Sequence, residues 1–454
     1  MKRYVGLGLT AVMSAALLLS VMKAPASGSG FALIEQGVKS MGNAFAGVAA
    51  SAEDASTVFF NPAGLTRLTG SEIILAGHIV MPSAKFHNEG STYVLQPVTG
   101  MPLLGGDGGD AGETRVVPNF YYSIRVSDRL AFGLGVGAPF GLKTEYTNSW
   151  VGRYYAINSE LTTININPSV AYKVTDKLSV GWGINAMYAK AKLSNAIDFG
   201  ALDAVGAFSP LPPGALGLTP QQSDGFAYVK GDDWSWGYNI GLLYEPVKST
   251  RIGVAFRSRV RQKLEGDVNF TDVPAGLAPL PVFKDGGASA NVTLPETLSV
   301  SVVHEFSPEW MVMADVTWTN WGVFDELRIK FDNPAQPDSV TTTKWDDSYR
   351  YSFGVTYKPA PWTFRVGVAY DETPVPNAQR RTPRIPDSYR LWTAFGLGYN
   401  ISKMFSLDVA YAHLFIDDPQ INKSPTGEDR FRGGLKGTYD AHVDIVSAQV
   451  KVNF

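Results

Sequence analysis

Apolar and polar residues alternate with a period of two along most of the chain beyond residue 70. The even positions of 234–244 are aromatic or aliphatic, as are the odd positions of 349–357, and the alternation continues to the terminal Phe454. Successive side chains of a β-strand point to opposite faces, so each stretch predicts a strand with one apolar face. One such strand fits a soluble β-sandwich as well as a membrane barrel, and the connections distinguish the two classes.

The alternating stretches define fourteen predicted strands. They cover 71–81, 115–127, 129–141, 160–174, 177–194, 227–245, 250–265, 290–306, 309–330, 343–358, 361–371, 387–401, 404–415 and 439–454. The links after even-numbered strands are short, such as Ser127-Asp128 and Ser307-Pro308, whereas the other links are long and carry Pro, Gly and charged residues. Outer-membrane barrels have this asymmetry of tight periplasmic turns and long external loops. The sequence predicts an all-β membrane protein, a 14-stranded antiparallel transmembrane β-barrel over 71–454, with both chain ends in the periplasm.

The first 26 residues predict a secretory signal peptide. Lys2 and Arg3 precede an apolar run from Val5 to Val21, and Ala24-Pro25-Ala26 supplies small residues for cleavage. No later stretch has the ~18 to 20 uninterrupted apolar residues of a spanning helix. We therefore expect export to the outer membrane of a Gram-negative bacterium.

Composition removes several classes of function. The chain has no cysteine, which excludes disulfides, thiolate metal sites and thiol catalysis, and its net charge of −3 gives no reason to expect a nucleic-acid partner. The five histidines are dispersed without metal-ligand spacing, and no Gly-x-Ser-x-Gly motif is present. We expect no cofactor, no metal and no enzymatic activity. The enzyme alternative is an outer-membrane lipid-modifying enzyme, which would need a Ser and a His brought together on the barrel wall.

Tyr and Trp total 30 residues, and many lie near the predicted strand ends. Aromatic girdles mark both membrane interfaces of outer-membrane barrels, so these residues predict such girdles. The alternative is that aromatic residues simply favour strands. The residues concerned are Trp150, Tyr154, Tyr155, Trp310, Trp321, Trp345, Trp362 and Trp392.

Residues 27–70 do not alternate. They are rich in Gly, Ala and Ser, and Ser40–Ala52 predicts short helical pieces. Disordered segments are usually poor in apolar residues, yet this one carries Phe31, Phe45 and Phe59. Because a fourteen-stranded barrel has a lumen wider than its wall side chains fill, residues 27–70 are predicted to form a partly helical hatch that plugs the lumen. The plug argues against the alternative of an open hydrophilic porin.

Several motifs resemble the FadL-type outer-membrane transporters of long-chain fatty acids and other hydrophobic compounds. They are Ser29-Gly30-Phe31, the run 42–47, the stretch 54–64 with the hatch motif Asn61, Pro62 and Ala63, and the loop from Pro374 to Asp387. The resemblance implies a hatch-plugged barrel, an external capture site, a tighter inner site, and sideways exit of the ligand beside a kinked third strand. It also implies that the hatch shifts near Phe31 when ligand binds.

The third predicted strand carries the residues expected at such a kink. They are Gly137, Ala138, Pro139, Phe140 and Gly141. Proline cannot donate a ladder hydrogen bond and glycine permits a bulge, so pairing with a neighbouring strand is predicted to fail here and to leave a lateral opening. The alternative is that these residues only end the strand at its loop.

Two predicted external loops are unusually apolar and are candidates for ligand capture. The loop 196–218 contributes Phe199, Leu202 and Phe208, and the loop 273–283 contributes Leu280 and Phe283. Exposed apolar loops have to cover one another or meet a ligand. We expect them to form the landing surface, with packing against the barrel rim as the alternative.

A fatty acid also presents a carboxylate, which needs a donor. If Ile252, Val254, Phe256 and Val260 face lipid, the basic residues between them face the lumen, which makes Arg257 and Arg259 candidates together with Arg251, Arg261 and Lys263. The alternative is that these residues pair with acids such as Glu53, Asp54, Asp315 and Asp371.

Relatives of the resembled family carry basic residues at positions that align with Asn195 and Thr341, neither of which is basic. This leaves room for an uncharged ligand such as an aromatic hydrocarbon, although Lys190 and Lys192 lie close in sequence. The expected partners are long-chain fatty acids or other hydrophobic molecules, outer-membrane lipids including lipopolysaccharide, and the barrel-assembly machinery, which would read the last strand ending in Phe454. We expect a monomer.

Overall fold

A computed structural model describes residues 30–208 and 211–454, so the predicted signal peptide lies outside the described residues. The barrel strands are β1 (Ser71–Asn88), β2 (Arg115–Arg125), β3 (Leu130–Gly137 and Gly141–Glu145), β4 (Asn158–Lys173), β5 (Leu178–Asp198), β6 (Asp224–Val247), β7 (Thr250–Arg257 and Val260–Thr271), β8 (Gly286–Leu294 and Thr297–Glu305), β9 (Trp310–Thr319 and Glu326–Phe331), β10 (Ser339–Thr342 and Ser348–Tyr357), β11 (Trp362–Asp371), β12 (Arg390–Asn400), β13 (Phe405–Ile416 and Gln420–Lys423) and β14 (Leu435–Asn453).

Helices are few and short. Four belong to the segment before the barrel: α1 (Val38–Met41), α2 (Val48–Ser51), α3 (Thr57–Phe60) and the 3-10 helix Pro62–Arg67. The connections contain α4 (Gln96–Thr99), α5 (Phe199–Ala204) and the 3-10 turns Pro281–Phe283, Trp321–Val323 and Gly427–Asp429. Within the described part of the chain, no helix combines the length and apolarity needed to cross a bilayer.

The strands form one antiparallel sheet that closes on itself. Each strand pairs with its sequence neighbour, and β1 pairs with β14 from Glu72↔Asn453 to Asn88↔Gly437. The fourteen-stranded closed barrel predicted from alternation is confirmed. Several strands run past their predicted ends, as β1 does to Asn88, because they continue into the long-loop side of the molecule.

The alternation separates the two faces of the wall as predicted. On β6 the even residues from Trp234 to Tyr244 are 44–71% exposed, and Tyr351 on β10 is 44% exposed. The inward positions of β4, β5 and β6 include buried polar residues such as Asn165, Asn185 and Asn239. A wall that is apolar outside and polar inside is the pattern of a barrel embedded in lipid.

The predicted aromatic girdles are wrong for most of the residues concerned. Of that set, only Trp310 and Trp362 lie on the outer face, where they pack against Tyr357 and Tyr399 with ring centroids 4.5 Å apart. Trp392 is buried on the inner face of β12 against the hatch. Loops and a 3-10 turn carry the remaining residues of the set into the interior: Trp150, Tyr154, Tyr155, Trp321 and Trp345.

Residues 30–70, called the hatch below, contact inward-facing residues around the whole barrel. Their contacts range from β3 and β5 on one side to β8, β11 and β13 on the other. Wall glycines make room for the hatch backbone. A Cβ on Gly253 would lie 1.9 Å from the Ala49 carbonyl oxygen, and one on Gly367 would lie 2.0 Å from the Asn43 carbonyl carbon. The hatch therefore rests directly on the wall.

Replacement of Gly253 by valine is expected to unseat the hatch, because its side chain would occupy the space of Ala49. We expect Gly253→Val to raise small-ion conductance in planar bilayers severalfold. Gly77→Val is the matched control, since a Cβ on Gly77 meets nothing within 4 Å. Unchanged conductance in a correctly folded Gly253→Val barrel would show that the hatch does not plug the lumen.

Candidate ligand-binding site and wall opening

Three cavities follow one another inside the barrel from the long-loop end to the short-turn end. The loop-side cavity measures about 90 Å³ and the middle cavity about 110 Å³, and the hatch strand around Ala32 lies between them. The turn-side cavity measures about 270 Å³ and is bounded by charged residues that include Lys39, Glu53 and Arg365. The two cavities nearer the long loops are the apolar ones.

Phe31 closes the loop-side cavity at its inner end. The residue is 4% exposed, and its ring lies 4.7 Å from Trp321, 5.6 Å from Phe324 and 5.9 Å from Trp345, measured between ring centroids. An engineered cavity of about 150 Å³ holds one benzene. A cavity of about 90 Å³ therefore has to widen before it can admit a long alkyl chain, and Phe31 is the side chain in the way.

The wall is interrupted between β2 and β3. Their ladder runs from Arg125↔Ala131 to Phe120↔Val136 and ends there, although β2 continues to pair with β1 as far as Arg115. The second segment of β3, Gly141–Glu145, forms a ladder with β4 and none with β2, although Thr144 forms a bridge with Gly112 in the loop before β2. The interruption contains Pro139 as predicted, and Pro118 on β2, which also lacks an N–H group, lies on the other side of the interruption.

At Ala138–Gly141, where β2 forms no ladder with β3, the hatch supplies hydrogen bonds to the wall. Leu33 N donates to the Pro139 carbonyl at 2.8 Å, Gly141 N donates to the Phe31 carbonyl at 3.0 Å, and Ala32 faces Phe140 as an antiparallel bridge. Gln36 Nε2 donates to the Ala138 carbonyl at 2.9 Å. The interrupted wall is thus closed from inside by an extended piece of the hatch.

Glycine at 137 and 141 permits this close approach. A Cβ on Gly141 would lie 2.7 Å from the Leu33 side chain, and one on Gly137 would lie 2.4 Å from Gln36 Oε1. Both positions therefore serve the contact with the hatch. Their role in a lateral opening stays a prediction.

Arg257 faces the middle cavity and is 9% exposed. Its guanidinium lies 4.2 Å from the Phe59 ring centroid, donates to the Phe59 carbonyl at 2.8 Å and also bonds Asn185. In residues 30–208 and 211–454, no carboxylate lies within ion-pair distance of it. The expected pairing with a hatch or wall acid is therefore not observed for Arg257.

The alternation predicted for β7 is wrong beyond Arg257, where the other basic residues lie. The strand is interrupted at Ser258 and Arg259, so the inward face moves from odd to even residues, and Val260 is buried instead of facing lipid. Arg259 is 39% exposed and pairs with Glu296, while Arg261 and Lys263 point outward. A bulge reverses the two faces beyond it. Only Arg251 and Arg257 face the lumen, and Arg251 pairs with Glu305 at 2.8 Å.

Neither Lys190 nor Lys192 lines any of the three cavities described above. They alternate with the inward residues Ala189 and Ala191, so they lie on the outer face, where Lys192 pairs with Glu160 at 2.9 Å. The neighbouring Asn195 belongs to the inward face, and its Oδ1 accepts a bond of 3.4 Å from Arg384.

The two apolar loops pack on each other. Phe199 and Phe208 are buried, and their rings lie 4.9 and 5.9 Å from that of Phe283. Leu202 and Leu280 join the same cluster and remain partly exposed. The loops therefore cover their apolar side chains mainly with one another.

The Asn61-Pro62-Ala63 motif fixes the hatch to the wall. Asn61 is fully buried, and its Nδ2 donates to the Ala49 carbonyl at 2.6 Å and to the Leu242 carbonyl at 3.0 Å. Its Oδ1 accepts from Ala63 N at 3.0 Å and so begins the 3-10 helix Pro62–Arg67. The side chain joins two parts of the hatch to β6.

Ion pairs anchor the hatch around the turn-side cavity. Glu53 pairs with Lys358 at 2.9 Å and Arg365 at 3.7 Å, and Lys39 pairs with Asp54 at 3.5 Å. Although burial acts to raise the pKa of Glu53, Lys358 and Arg365 hold it well below its usual range. No group of His, Asp and Glu suited to a metal ion occurs among residues 30–208 and 211–454.

Four residues of this site were not predicted from the sequence. Trp321 and Trp345 surround Phe31, Pro118 borders the wall interruption, and Arg384 is a buried cation that lines the loop-side cavity. Pro118 carried a local signal, since a proline within a predicted strand points to missing pairing. The other three lie in or beside segments that fold inward, which no local pattern indicates.

The fold and the site define a hatch-plugged outer-membrane barrel with apolar internal cavities. A family model described as outer membrane protein transport protein (OMPP1/FadL/TodX) matches residues 19–454. The chain belongs to this family. The family description and the relatives that are named as transporters agree with the expectation that the chain is not an enzyme.

Individual relatives cover nearly the whole chain. A putative outer membrane protein of Neisseria meningitidis serogroup B is 33% identical, over 98% of this chain and 99% of that protein. A long-chain fatty acid transport protein of Escherichia coli O6:H1 is 32% identical, over 88% and 90% of the two chains.

Solved structures share the fold. The crystal structure of a Pseudomonas aeruginosa FadL homologue matches with a TM-score of 0.83 at 27% identity, covering 94% of this chain and all of that chain. The Pseudomonas putida toluene transporter TodX matches with a TM-score of 0.68 at 19% identity, covering 94% and 99%, and shows the same fold.

Glu35 makes the stability of the hatch depend on pH. Burial raises its pKa from 4.5 to about 7, although Arg390 acts in the opposite direction. The folded state holds a proton that the unfolded state releases above pH 4.5, so stability should fall as pH rises from 4.5 to about 7. Over this pH range, we expect the free energy of unfolding of the wild type to fall by on the order of 1–3 kcal/mol. The Glu35→Gln variant should not show this decrease.

The measurement is unfolding of the detergent-solubilised barrel by urea at a series of pH values. The control is Glu113→Gln, in a loop outside the hatch. Parallel pH profiles for the wild type and Glu35→Gln would contradict the assignment.

Proposed function

We propose that the protein carries long-chain fatty acids or comparable hydrophobic molecules across the outer membrane by diffusion. The observation that supports this most directly is an apolar cavity whose inner end is closed by Phe31, next to the interruption in β3. The names of the long-chain fatty acid relatives support the same class of ligand. Uptake of a labelled fatty acid by cells whose own carrier is deleted tests the proposal, and no uptake above the empty-vector level would contradict it.

Capture occurs at the two apolar loops. Leu202, Leu280 and Phe283 remain partly exposed at the edge of the loop cluster, so an alkyl chain can replace loop–loop contacts with similar apolar contacts. The ligand then enters the loop-side cavity, which lies between these loops and the hatch.

Release is lateral, through the wall between β2 and β3. Displacement of Phe31 widens the loop-side cavity, and displacement of Ala32 and Leu33 uncovers the unpaired edge at Pro139–Gly141. The turn-side cavity offers no comparable path, because an alkyl chain there would desolvate the ion pairs of Glu53 and Arg365. Arg257 provides a counter-charge for an acidic ligand in the middle cavity.

The short turns face the periplasm, so both chain ends lie there and the long loops face outward. The outer aromatic and aliphatic face then contacts membrane lipids, with lipopolysaccharide around the long-loop end. The last strand ends in an exposed Phe454, which suits recognition by the barrel-assembly machinery. Closure of the sheet within one chain is consistent with a monomer.

An uncharged aromatic hydrocarbon is the second candidate ligand. The observation that favours it is the loop-side cavity, whose lining is almost wholly apolar. Identification of the lipid that copurifies with the protein in mild detergent distinguishes the two ligand classes.

A disulfide across the hatch contact tests lateral release. The chain has no cysteine, and Ala32 and Phe140 face each other as a bridge pair, so Ala32→Cys with Phe140→Cys can form one bond. We expect the oxidised double variant to lose fatty-acid uptake because the hatch strand can no longer leave the wall. Binding at the external loops should persist.

The same protein after reduction is the matched control and should regain uptake. Equal uptake in the oxidised and reduced states would contradict movement of the hatch at this position.

A further inference from the structure

The bulge at Ser258–Arg259 turns two basic residues of β7 to the outside of the barrel. Beyond the bulge, Arg261 and Lys263 are exposed on the outer face. Arg257, just before it, is buried and bonds the hatch. A charge on the lipid-facing side of a barrel is costly at the middle of the bilayer and much less costly at the interface. The depth of Arg261 and Lys263 therefore decides what they meet.

Both cations lie where the outer face changes from apolar to polar. On β8, Leu298 is exposed and belongs to the apolar band, whereas Thr293 and Asn291, nearer the long loops, are polar. Arg261 is the register partner of Thr293, and Lys263 is the register partner of Asn291. The apolar band of this part of the wall therefore ends beside Arg261.

Exposed tryptophans of β6 mark the same level. Ser235 Oγ donates to the Arg261 carbonyl at 2.6 Å, which places this part of β6 next to β7. The outward neighbours of Ser235 are Trp234 and Trp236, which are 54% and 71% exposed. Tryptophan is enriched where the hydrocarbon core meets the lipid headgroups. Arg261 therefore lies at the headgroup level of the bilayer.

Arg261 has no acidic partner. Within residues 30–208 and 211–454, no carboxylate lies within ion-pair distance of its guanidinium, because the acids of this part of the wall are already engaged. They are Glu296 with Arg259, Glu265 with Lys263 at 2.5 Å, and Asp233 with the backbone N of Lys263 at 2.8 Å. The guanidinium thus has donors to offer to an anion outside the protein.

The side of the barrel that lies across from β7 carries an acid on its outer face. Asp444 of β14 accepts a hydrogen bond from Tyr411 Oη at 2.6 Å and pairs with His413 at 2.8 Å. Tyr411 is itself exposed. A phosphate at that place would meet a carboxylate, whereas beside β7 it would meet a cation. Charge complementarity therefore favours the β6–β8 side for an anionic headgroup.

We propose that Arg261, with Lys263 and the Thr293 hydroxyl, binds a phosphate of the lipid A part of lipopolysaccharide in the outer leaflet. A guanidinium binds a phosphate through paired hydrogen bonds, and the acyl chains of the same lipid would lie along the apolar band that begins at Leu298. Trp236 packs at the boundary between the two parts of the lipid. This assignment rests on the proposed orientation, in which the long loops face outward, and not on the ligand that is carried.

The test measures lipid binding to the purified full-length barrel by native mass spectrometry. The two probes are diphosphorylated lipid A and lipid A from which both phosphates have been removed. We expect the wild type to bind the phosphorylated form about tenfold more tightly, because a hydrogen bond to a charged group is stronger than one to a neutral group. Arg261→Gln should remove most of this preference and leave the affinity for the dephosphorylated form unchanged. Arg261→Lys should retain part of the preference.

Lys248→Gln is the matched control. Lys248 is an exposed cation in the turn between the same two strands, β6 and β7, at the other end of the barrel. The variant should bind both lipids as the wild type does. Folding of every variant is checked by the gel mobility of the unheated barrel, and the exposed side chain of Arg261 can be replaced without disturbing the interior.

Three results would overturn the lipid site. They are equal wild-type affinity for the two forms of lipid A, an unchanged preference in Arg261→Gln, and an equal loss of both affinities in a folded Arg261→Gln barrel. Uptake of labelled fatty acid by cells that make the same proteins separates the site from the proposed function. Normal uptake together with any of these results would overturn the lipid site alone, and absence of uptake by the wild type would contradict the proposed function.

Discussion

The structure depends on the requirement that backbone polar groups inside a bilayer find partners within the protein. The ladders of fourteen closed strands meet this requirement along most of the described wall, and one exception is the place where β3 leaves β2. There the hatch takes the role of a strand, through Leu33 N to Pro139 O and Gly141 N to Phe31 O. The hatch is therefore part of the wall as well as a plug, and the two roles cannot be separated.

Because the hatch completes the wall, its contacts there determine the free energy needed to move it away from β3. A typical intramolecular hydrogen bond contributes only about 0.5–1.5 kcal/mol net, so the bonds at Phe31, Leu33 and Gln36 form a weak closure. The packing of Phe31 against Trp321 and Trp345 adds an apolar term that an alkyl chain in the same space can replace. In the proposed mechanism, ligand binding therefore supplies the free energy of opening without a further energy source.

Features determined by local sequence were predictable. Alternation identified the strand number and the lipid face, the short and long links identified the order of turns, and Pro139 between glycines identified the place where β3 breaks. Each follows from the geometry of one strand or one turn, which requires no knowledge of distant partners.

Features that depend on tertiary contacts were not predictable. The bulge at Ser258–Arg259 reversed the expected face of Arg261 and Lys263, and the 3-10 turn of β9 carried Trp321 inward from an expected girdle. Arg384 reaches Ser159, which lies 225 positions away in the sequence, only because the connection between β11 and β12 folds into the barrel. Lys190 and Lys192 lie near Asn195 in sequence but face outward, whereas Arg384, which contacts Asn195, is distant in sequence.

The distribution of charge along the barrel axis is consistent with the proposed sideways route for an acid that carries a long alkyl chain. The loop-side cavity is lined mainly by apolar side chains, together with Glu160, Lys230 and Arg384. The middle cavity includes Arg257 beside Phe59, and the turn-side cavity is bordered by charged residues that include Glu53 and Lys39. In the proposed route, an alkyl chain finds apolar partners in the two upper cavities and few beyond the hatch. The unpaired edge of β3 lies beside both upper cavities, since Phe140 borders the middle one and Leu142 the loop-side one. The apolar lining is therefore continuous from the long loops to this edge, which is the route that we propose for the ligand.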